Sequence, residues 1–435
     1  MIERAGFNVL GYASSGMGLG VVAREFAQAL MANGHQVAIF DMDPGGGRRG
    51  FDMSLAEHFV PTVDALPHNI NLWVIGAGQL AGVSRRICAT PELQMRFNAV
   101  FLWWELPDLP PLYVESAAAF DAVVTGSEFV REAVALQVAN VPVLMAQHPL
   151  NLSASIRADR SRFGLPADPL LFYFGFEPAS DPERKNPFAC VQAFLAAFPQ
   201  ERDVGLVIKV NGGAPDSGSQ LQIDRLSDLV GTDNRIVLLR EQMLYSDLLS
   251  LYASCDVVVS LHRSEGLGLI PLEAMRLGRA VIATGWSGNM TYMNHCNAAL
   301  VSYAIVPVDP GSPHYGRVRL GISSRWAEPN VQHAAAWMRT LRDRPALRER
   351  MAQRAPIDSR AYNESAARTC FAEELQLLAA LRPLKAQKNF ASIARQVQQL
   401  QWQAQVRTLP PAQRFRAMVG QQLRRRFGSP GSDQK

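Results

Sequence analysis

Short apolar runs alternate with longer amphipathic stretches along the first 150 residues of the chain. The run FNVLGYASS has the pattern of a strand and a turn, GLGVVAREFAQALMANG that of a helix ending at Gly34, and HQVAIFDMD that of a second strand. Strand-like runs recur at NLWVIGAG, NAVFLWWEL, DAVVTGS and VPVLMAQ, with helical or turn material between them. This alternation predicts right-handed β-α-β units in one doubly wound domain.

A polar segment separates this domain from a second series of the same kind. The sequence NLSASIRADRSRFGLPADP contains its own Pro and Gly and gives way to a new strand, LLFYFGF. The second series runs through FACVQAFLAAFP, VGLVIKVNG, RIVLLR, LLSLYASC, DVVVSL, EAMRLG and AVIATG. We therefore expect an α/β protein with one Rossmann-like domain over residues 1–160, a second over 168–360, a closing helix over 361–384 and a tail over 385–435.

The composition agrees with a soluble enzyme, and the chain is long enough for two domains with full hydrophobic cores. Of the 435 residues, 48% are hydrophobic and 19% are charged. The longest apolar runs have the length of strands, and the N-terminal residues lack the apolar stretch of a signal peptide. The cysteines show no metal-type spacing and favour buried thiols in a reducing compartment, so we expect a cytoplasmic protein. They are Cys88, Cys190, Cys255, Cys296 and Cys370.

Two glutamates flank a glycine-containing turn at the start of a helix in VSLHRSEGLGLIPLEAMRLG, residues 259–278. Glu265 lies just outside the turn and Glu273 just inside the helix. Carboxylates repel a phosphate but suit the hydroxyls of a ribose or a hexose. The alternative is a first-turn glutamate favoured by the helix dipole and a solvated loop residue. Backbone N–H groups at the helix start would point at an anion such as a phosphate, and they belong to Gly268, Leu269 and Ile270.

The segment SEGLGLIPLEAM closely resembles the E-x7-E signature of the retaining glycosyltransferases of the group 1 family. Members of that family have the GT-B fold, in which two Rossmann-like domains face an interdomain cleft. The resemblance implies that Glu273 binds the nucleotide ribose and that Glu265 lies by the transferred sugar. It also implies that the first domain binds the acceptor and the second binds a nucleotide-sugar donor. It covers most of residues 1–380 and is most specific over 172–290.

Two cations precede a helix in DPERKNPFACVQAF. A helix dipole disfavours cations at that end, so an anionic ligand explains Arg184 and Lys185 better than a solvated charge pair does. By resemblance Lys185 matches the diphosphate-binding lysine of the family, and with Glu265 it forms the expected catalytic pair. Many members carry an arginine directly after the strand glycine, where this chain has Phe176. Arg184 or Arg263 would then supply the missing charge.

The loop ATGWSGNMTYM is similar to a cleft loop in a subset of the family that also shares SLHRSEG and ERKNP. Ser287 and Asn289 would bring small polar groups to the donor sugar. An ordinary turn is the alternative, because Ser, Gly and Asn dominate turns.

On the acceptor side, LWWELPDLPP places aromatic residues and a carboxylate at the end of a strand. Aromatic faces bind the apolar faces of sugars, which suggests a role for Trp104, although core packing is an alternative for at least one tryptophan here. Glu105 would accept a proton from an acceptor hydroxyl.

A glycine-rich turn, GYASSGMGLGVVARE, follows the first strand. With Asp41 or Asp43 about twenty residues on, it resembles a dinucleotide-binding fingerprint, but its spacing is G-x-G-x-G rather than G-x-G-x-x-G. In the group 1 family a similar turn faces the interdomain cleft. The resemblance implies that Gly16 and Gly18 approach the donor or the acceptor.

The C-terminal segment ending in PAQRFRAMVGQQLRRRFGSPGSDQK predicts a basic amphipathic helix. Such a helix would lie on an anionic membrane, and the alternative is a solvated, partly disordered end. No motif for binding nucleic acid accompanies the charge. The apolar positions are Phe415, Met418, Val419 and Leu423, and the arginines are Arg414, Arg416, Arg424, Arg425 and Arg426.

The expected reaction is the retaining transfer of a hexose from a nucleotide diphosphate sugar, of GDP-mannose or UDP-hexose type, to a glycan or lipid-linked glycan acceptor, as in surface polysaccharide assembly. Oriented donors and a cation would stabilise the charge of the leaving group, so we expect no cofactor and no required metal. The family mechanism is usually described as front-face attack assisted by the leaving phosphate, and we assign no nucleophile. A catalytically inactive sugar-nucleotide-binding protein, an NAD-linked oxidoreductase and a pyridoxal-phosphate-dependent phosphorylase remain alternatives.

Overall fold

The computed structural model describes residues 5–43, 49–150, 152, 156–210, 217–309, 312, 315, 324–367, 371–382, 388–407 and 409–427. Within these residues, two six-stranded parallel sheets and one two-stranded antiparallel ribbon are present. Helices cover both faces of each parallel sheet, which is why the strands are nearly continuous runs of apolar residues. The two-domain α/β architecture predicted from the sequence is confirmed.

The first sheet has the strand order β2-β1-β3-β4-β5-β6. Its strands are β1 (Phe7–Gly11), β2 (Val37–Asp41), β3 (Ile70–Gly76), β4 (Phe97–Trp103), β5 (Ala122–Thr125) and β6 (Val143–Met145). Its helices are α1 (Gly18–Ala32), α2 (Leu80–Ala89), α3 (Pro91–Met95), α4 (Pro111–Ala117) and α5 (Glu128–Ala135). Gly34 takes a φ of 79° directly after α1 and stops the helix where the sequence predicts.

The second sheet has the order β12-β11-β10-β7-β8-β9. Its strands are β7 (Leu170–Phe176), β8 (Val204–Val210), β9 (Ile236–Leu239), β10 (Val257–Ser260), β11 (Ala280–Thr284) and β12 (Ala299–Val301). Its helices are α6 (Pro182–Lys185), α7 (Pro187–Ala197), α8 (Ser217–Val230), α9 (Tyr245–Ser254), α10 (Leu269–Arg276), α11 (Val331–Asp343) and α12 (Pro345–Ala367).

An antiparallel ribbon, β13 (Tyr303–Pro307) with β14 (Arg325–Pro329), follows the second sheet. The sequence patterns did not predict it, because its first strand is short and largely exposed. The ribbon is anchored to the first domain, because Trp326 packs in the core of that domain.

The last helices return to the first domain. In α13 (Phe371–Leu381), Phe371 and Leu375 enter the core of that domain, and the Phe371 ring lies 5.5 Å from the ring of Phe26. Helix α14 (Phe390–Arg407) packs on α2 and α4 and buries Val397 completely. Helix α15 (Pro411–Phe427) contacts α14. Among the described residues, no helix is long and apolar enough to cross a bilayer.

The carboxyl ends of the two sheets face each other, and the loops that follow these strand ends meet between the domains. The hydroxyl of Ser127, after β5, donates to the carbonyl of Gly266, after β10, at 2.5 Å. The hydroxyl of Ser264 donates to the carbonyl of Glu105, after β4. In open α/β sheets the carboxyl ends of the strands are where ligands bind, so this junction is the candidate site.

Candidate active site

The loop between β10 and α10 follows a path that side chains would block. Gly268 caps α10 with a φ of 83°, and its carbonyl accepts a hydrogen bond of 2.5 Å from the hydroxyl of Tyr292. A Cβ on Gly266 would lie 2.6 Å from the Trp104 carbonyl oxygen, and a Cβ on Gly288 would lie 2.1 Å from the Gly266 carbonyl oxygen. The two glycines therefore let the loop lie between the first domain and the loop after β11.

Glu265 is buried in this loop between two cations. Its Oε1 lies 2.5 Å from Nζ of Lys185, and its Oε2 lies 3.1 Å from Nη1 of Arg184. Burial alone would raise the pKa of Glu265, but the charges of Lys185 and Arg184 outweigh it and lower the pKa to about 2. The side chain is therefore a carboxylate at neutral pH and is not a general acid there.

Two residues with positive φ angles present these cations. Asp181, at a φ of 63°, accepts hydrogen bonds from the amides of Glu183 and Arg184 and so caps the single turn of α6. Asn186, at a φ of 58°, accepts from the amide of Ala189 and caps α7. Non-glycine residues rarely adopt this conformation, and it concentrates where the surrounding structure over-determines it. The ERKN segment is thus held as a sharp corner beside Glu265.

On the first domain, Glu105 faces the same cluster. Its Oε2 accepts a hydrogen bond of 3.3 Å from the hydroxyl of Tyr315, and its Oε1 lies 3.8 Å from Nη2 of Arg184. Trp104 is 4% exposed, and its indole N–H donates to the carbonyl of Asp108 at 3.1 Å. Trp104 is therefore a packing residue in this structure, whereas the Glu105 carboxylate lies at the cleft.

Glu273 lies on the inward face of α10 and is 3% exposed. The hydroxyl of Tyr245, the first residue of α9, donates to its Oε1 at 2.8 Å. Burial raises the pKa of Glu273 to about 8, the Tyr245 hydrogen bond opposes this shift, and the charge of Glu25 adds to it. Glu25 comes from α1 of the first domain, and its carboxylate contacts Nε2 of His148. A nucleoside at this position would meet both domains.

Several residues of the expected donor site have partners inside the protein. Arg263 donates through Nη1 to the carboxylate of Glu183 at 2.9 Å and through Nε to that of Glu328 at 2.5 Å. Asn289 is fully buried and bridges His262 and the carbonyl of Thr284. These contacts give Arg263 and Asn289 structural roles in the arrangement described.

Ser287 contacts the signature loop directly. At a φ of 76°, its hydroxyl accepts the backbone N–H of Glu265 at 2.9 Å. Ser287 therefore holds the backbone of Glu265 in place. It belongs to the loop that the sequence assigns to the donor sugar.

The glycine-rich turn after β1 is closed by its own side chains. Asp41 accepts hydrogen bonds from the amide of Ser14 at 2.9 Å and from its hydroxyl at 2.6 Å. In a dinucleotide fingerprint the corresponding carboxylate binds a ribose, whereas this one holds the turn. The ring of Phe51 lies against Gly16, and the Cβ position of Gly18 faces open space.

Sequence reasoning missed Tyr245, Tyr315, Glu25 and Ser127. No local signal marks any of them, because each reaches the site through a contact between distant segments; Ser127 and Gly266, for example, are 139 positions apart. In the described part of the chain, no group of three or more His, Cys, Asp or Glu side chains is arranged to hold a metal ion.

Two parallel sheets with a cleft between their carboxyl ends, followed by a helical C-terminal region, define the GT-B fold. Residues 179–309, which contain Lys185, Glu265 and Glu273, match the family model described as "Glycosyl transferases group 1". The chain thus has the GT-B fold, and residues 179–309 are similar to the group 1 glycosyl transferases.

Known proteins agree with this assignment. The D-inositol 3-phosphate glycosyltransferases of Mycobacterium tuberculosis and Mycobacterium bovis are each 32% identical to the chain over 136 residues. The match spans 30% of this chain and 26% of each relative.

Solved structures resemble nearly the whole chain. The Anabaena protein HepE, in complex with UDP and glucose, has a TM-score of 0.59 at 16% identity and covers 86% of this chain and 100% of its own. Sucrose-phosphate synthase from Thermosynechococcus elongatus has a TM-score of 0.60 at 14% identity, covering 88% and 100% respectively. At such identities the similarity establishes the fold.

Proposed function

We propose that the protein is a retaining glycosyltransferase that moves a hexose from a nucleotide diphosphate sugar to a glycan or lipid-linked glycan acceptor. The observation that carries this proposal is the contact between Lys185 and Glu265, 2.5 Å apart and 80 positions apart in sequence, beside the N-terminus of the helix that bears Glu273. An ammonium and a helix N-terminus suit a diphosphate. Carboxylates suit the hydroxyls of a hexose and a ribose.

In this proposal the ribose hydroxyls donate to Glu273 and the diphosphate lies against Lys185 and the backbone N–H groups of residues 268–270. The hexose then lies beside Glu265. Negative charge develops on the diphosphate as the glycosidic bond breaks, and donors that are already oriented stabilise it at no cost in reorganisation. The carboxylate of Glu105 lies across the cleft, where an acceptor hydroxyl would approach.

A UDP-hexose is the first donor to test, because HepE was solved with UDP, with UDP and glucose, and with UDP-glucose. GDP-mannose is the second. Lys185 would pair with the diphosphate, which both donors contain. This contact is therefore expected with either donor.

We also propose that the enzyme works at the cytoplasmic face of an anionic membrane, where a lipid-linked acceptor would be found. Residues 375–432 contain ten lysines and arginines and no aspartate or glutamate, whereas the whole chain has a net charge of only +4. Two of these cations, Arg382 and Lys388, pair with Asp121 of the first domain. On α15, Phe415 and Met418 are 70% and 51% exposed, and Arg416 is exposed beside them. Apolar side chains among arginines are typical of a helix that lies in a membrane interface.

A two-step experiment tests the proposed reaction. Thermal shifts with UDP, GDP, ADP and their common sugars would identify the nucleotide, because a ligand that binds the native state raises the melting temperature. Incubation with the selected sugar nucleotide, followed by NMR of the released or transferred sugar, would then show whether the anomeric configuration is retained. Stabilisation by NAD but by no sugar nucleotide would favour the oxidoreductase. Binding without hydrolysis or transfer would favour an inactive sugar-nucleotide-binding protein.

A further inference from the structure

Two cations hold Glu265, and they differ sharply in how firmly they are fixed. The Arg184 side chain is 2% exposed. Its Nη1 donates to the carbonyl of Ser264 at 2.8 Å, and its Nη2 donates to the carbonyl and hydroxyl of Ser180 at 3.0 and 2.8 Å. The Lys185 side chain is 19% exposed, and its ammonium contacts Glu265 at the end of a flexible four-carbon chain.

Each cation takes a different oxygen of the carboxylate. Lys185 meets Oε1 and Arg184 meets Oε2. If the Lys185 ammonium turned toward a diphosphate, Glu265 would lose one partner and keep the other. A buried carboxylate left without any partner would be strongly destabilised, so the second cation is what makes such a transfer energetically accessible.

Arg184 is also anchored to the first domain. Its Nη2 lies 3.8 Å from Oε1 of Glu105, and Ser264, which accepts from Arg184, donates to the Glu105 carbonyl. Its guanidinium therefore lies between the two domains, with both terminal nitrogens already occupied by protein oxygens. A phosphate ligand would need those nitrogens to face the cleft.

We propose that Arg184 is the fixed counter-ion of Glu265, a positioning residue that keeps this carboxylate ionised and in place while the Lys185 ammonium moves to the donor's diphosphate. This inference rests on the proposed function and deepens it. It assigns the adjacent cations different tasks, since Lys185 binds the donor and Arg184 acts through Glu265 without touching the donor. It differs from the expectation that Arg184 supplies charge to the diphosphate.

The titration of Glu265 gives a signature that a purely structural arginine would lack. The charges of Lys185, Arg184 and His262 act on Glu265, and Tyr315 is coupled to it electrostatically. Glu105 faces Arg184 from the first domain. Removing Arg184 takes away a charge that lowers the pKa of Glu265, so the acidic limb of the rate profile should move upward in pH.

The matched variants are Arg184→Gln and Lys185→Gln, each of which removes one positive charge. UDP and GDP are the probes for calorimetry, and transfer is measured as kcat and KM across the acidic range. Lys185→Gln should weaken nucleotide binding about tenfold or more, as expected for loss of a charged hydrogen bond. Arg184→Gln should leave nucleotide affinity within about threefold of wild type, lower kcat about tenfold or more and shift its acidic limb upward.

Equal losses of nucleotide affinity in the two variants would make Arg184 a phosphate ligand and overturn the inference. A wild-type kcat and acidic limb in Arg184→Gln would overturn it as well. If Arg184→Gln does not fold, Arg184→Lys is the second variant, because it keeps the positive charge. Arg184→Lys should show the wild-type acidic limb and an unchanged KM for the donor. An upward shift of the acidic limb in Arg184→Lys would contradict the counter-ion role. Failure of the wild-type protein to bind any nucleotide would instead overturn the proposed function, and the inference with it.

Discussion

The hydroxyl of Tyr245 donates a hydrogen bond of 2.8 Å to Oε1 of Glu273, which joins the first residue of α9 to the inward face of α10. Glu273 is 3% exposed, and burial raises its pKa to about 8. A ribose that binds through Glu273 would share this carboxylate with Tyr245 or displace it. Ribose binding would also favour the ionised carboxylate, because an anion is the stronger hydrogen-bond acceptor.

Glu273→Gln should weaken UDP binding by about 1.5–3 kcal/mol when measured above the pKa of Glu273, because an amide replaces an ionised acceptor. Calorimetry with UDP and 2′-deoxy-UDP gives the matched comparison. The wild-type protein should discriminate between the two nucleotides, and the variant should discriminate less. Unchanged affinity for UDP would remove Glu273 from the ribose site.

The stability of the protein should depend on pH through the same residue. The pKa of Glu273 in the folded protein is about 8, against an ordinary value of 4.5, so its contribution to stability is fully present below about pH 4.5 and is lost as the pH rises through 8. Glu273→Gln cannot ionise. Its melting temperature relative to wild type should therefore rise across this pH range, and scanning fluorimetry of both proteins would show it. A constant difference would mean that the buried carboxyl does not titrate as inferred.

Activity should survive EDTA. If Lys185 and the backbone N–H groups at the start of α10 meet the charge of the diphosphate, a divalent ion is not required for leaving-group stabilisation. Initial rates with chelator and with added magnesium or manganese would be compared. Complete loss of turnover, restored by either metal, would contradict this view of the phosphate site.

Gly288→Ala should destabilise the protein by about 1–3 kcal/mol, the usual cost of overpacking. A Cβ there would lie 2.1 Å from the carbonyl oxygen of Gly266 and 2.7 Å from the amide nitrogen of Leu267, and neither backbone group can move independently. Gly82→Ala is the control, because Gly82 is exposed within α2 and no atom lies within 4 Å of the Cβ position. Chemical denaturation of both variants provides the measurement. Equal free energies of unfolding for the two variants would show that the loop shifts to accommodate the added methyl group.

Helix α15 should bind vesicles that contain anionic lipid, with an affinity that falls as salt is raised. Each basic residue near such a surface contributes about 1 kcal/mol. The deletion should begin at residue 410, because α14 buries Val397 and packs on the first domain. Liposome sedimentation would compare the full chain, the deletion and the double variant Phe415→Ser, Met418→Ser. The double variant keeps the arginines, so it separates the contribution of their charge to binding from that of the inserted apolar side chains. Equal recovery of full-length and shortened protein in the pellet, or recovery of neither, would assign α15 another role.

Local sequence was sufficient for much of the fold and for the centre of the candidate site. Strand, glycine turn and helix follow one another within residues 259–278, so Glu265 and Glu273 could be placed on opposite sides of a helix start from spacing alone. The same holds for Lys185, whose neighbours Asn186 and Pro187 mark the beginning of α7. Such signals operate over a few residues, because helix caps and turns depend on neighbouring backbone groups.

Only the tertiary structure decided which partners these residues have. Tyr245 reaches Glu273, Arg184 joins Glu265 to Glu105, and Arg263 pairs with Glu183 and Glu328. The β13–β14 ribbon and the packing of α14 on the first domain also became known only from the tertiary structure. The physical reason is that periodicity determines which face of an element is apolar, whereas contacts between distant segments depend on how all the buried surfaces fit together at once.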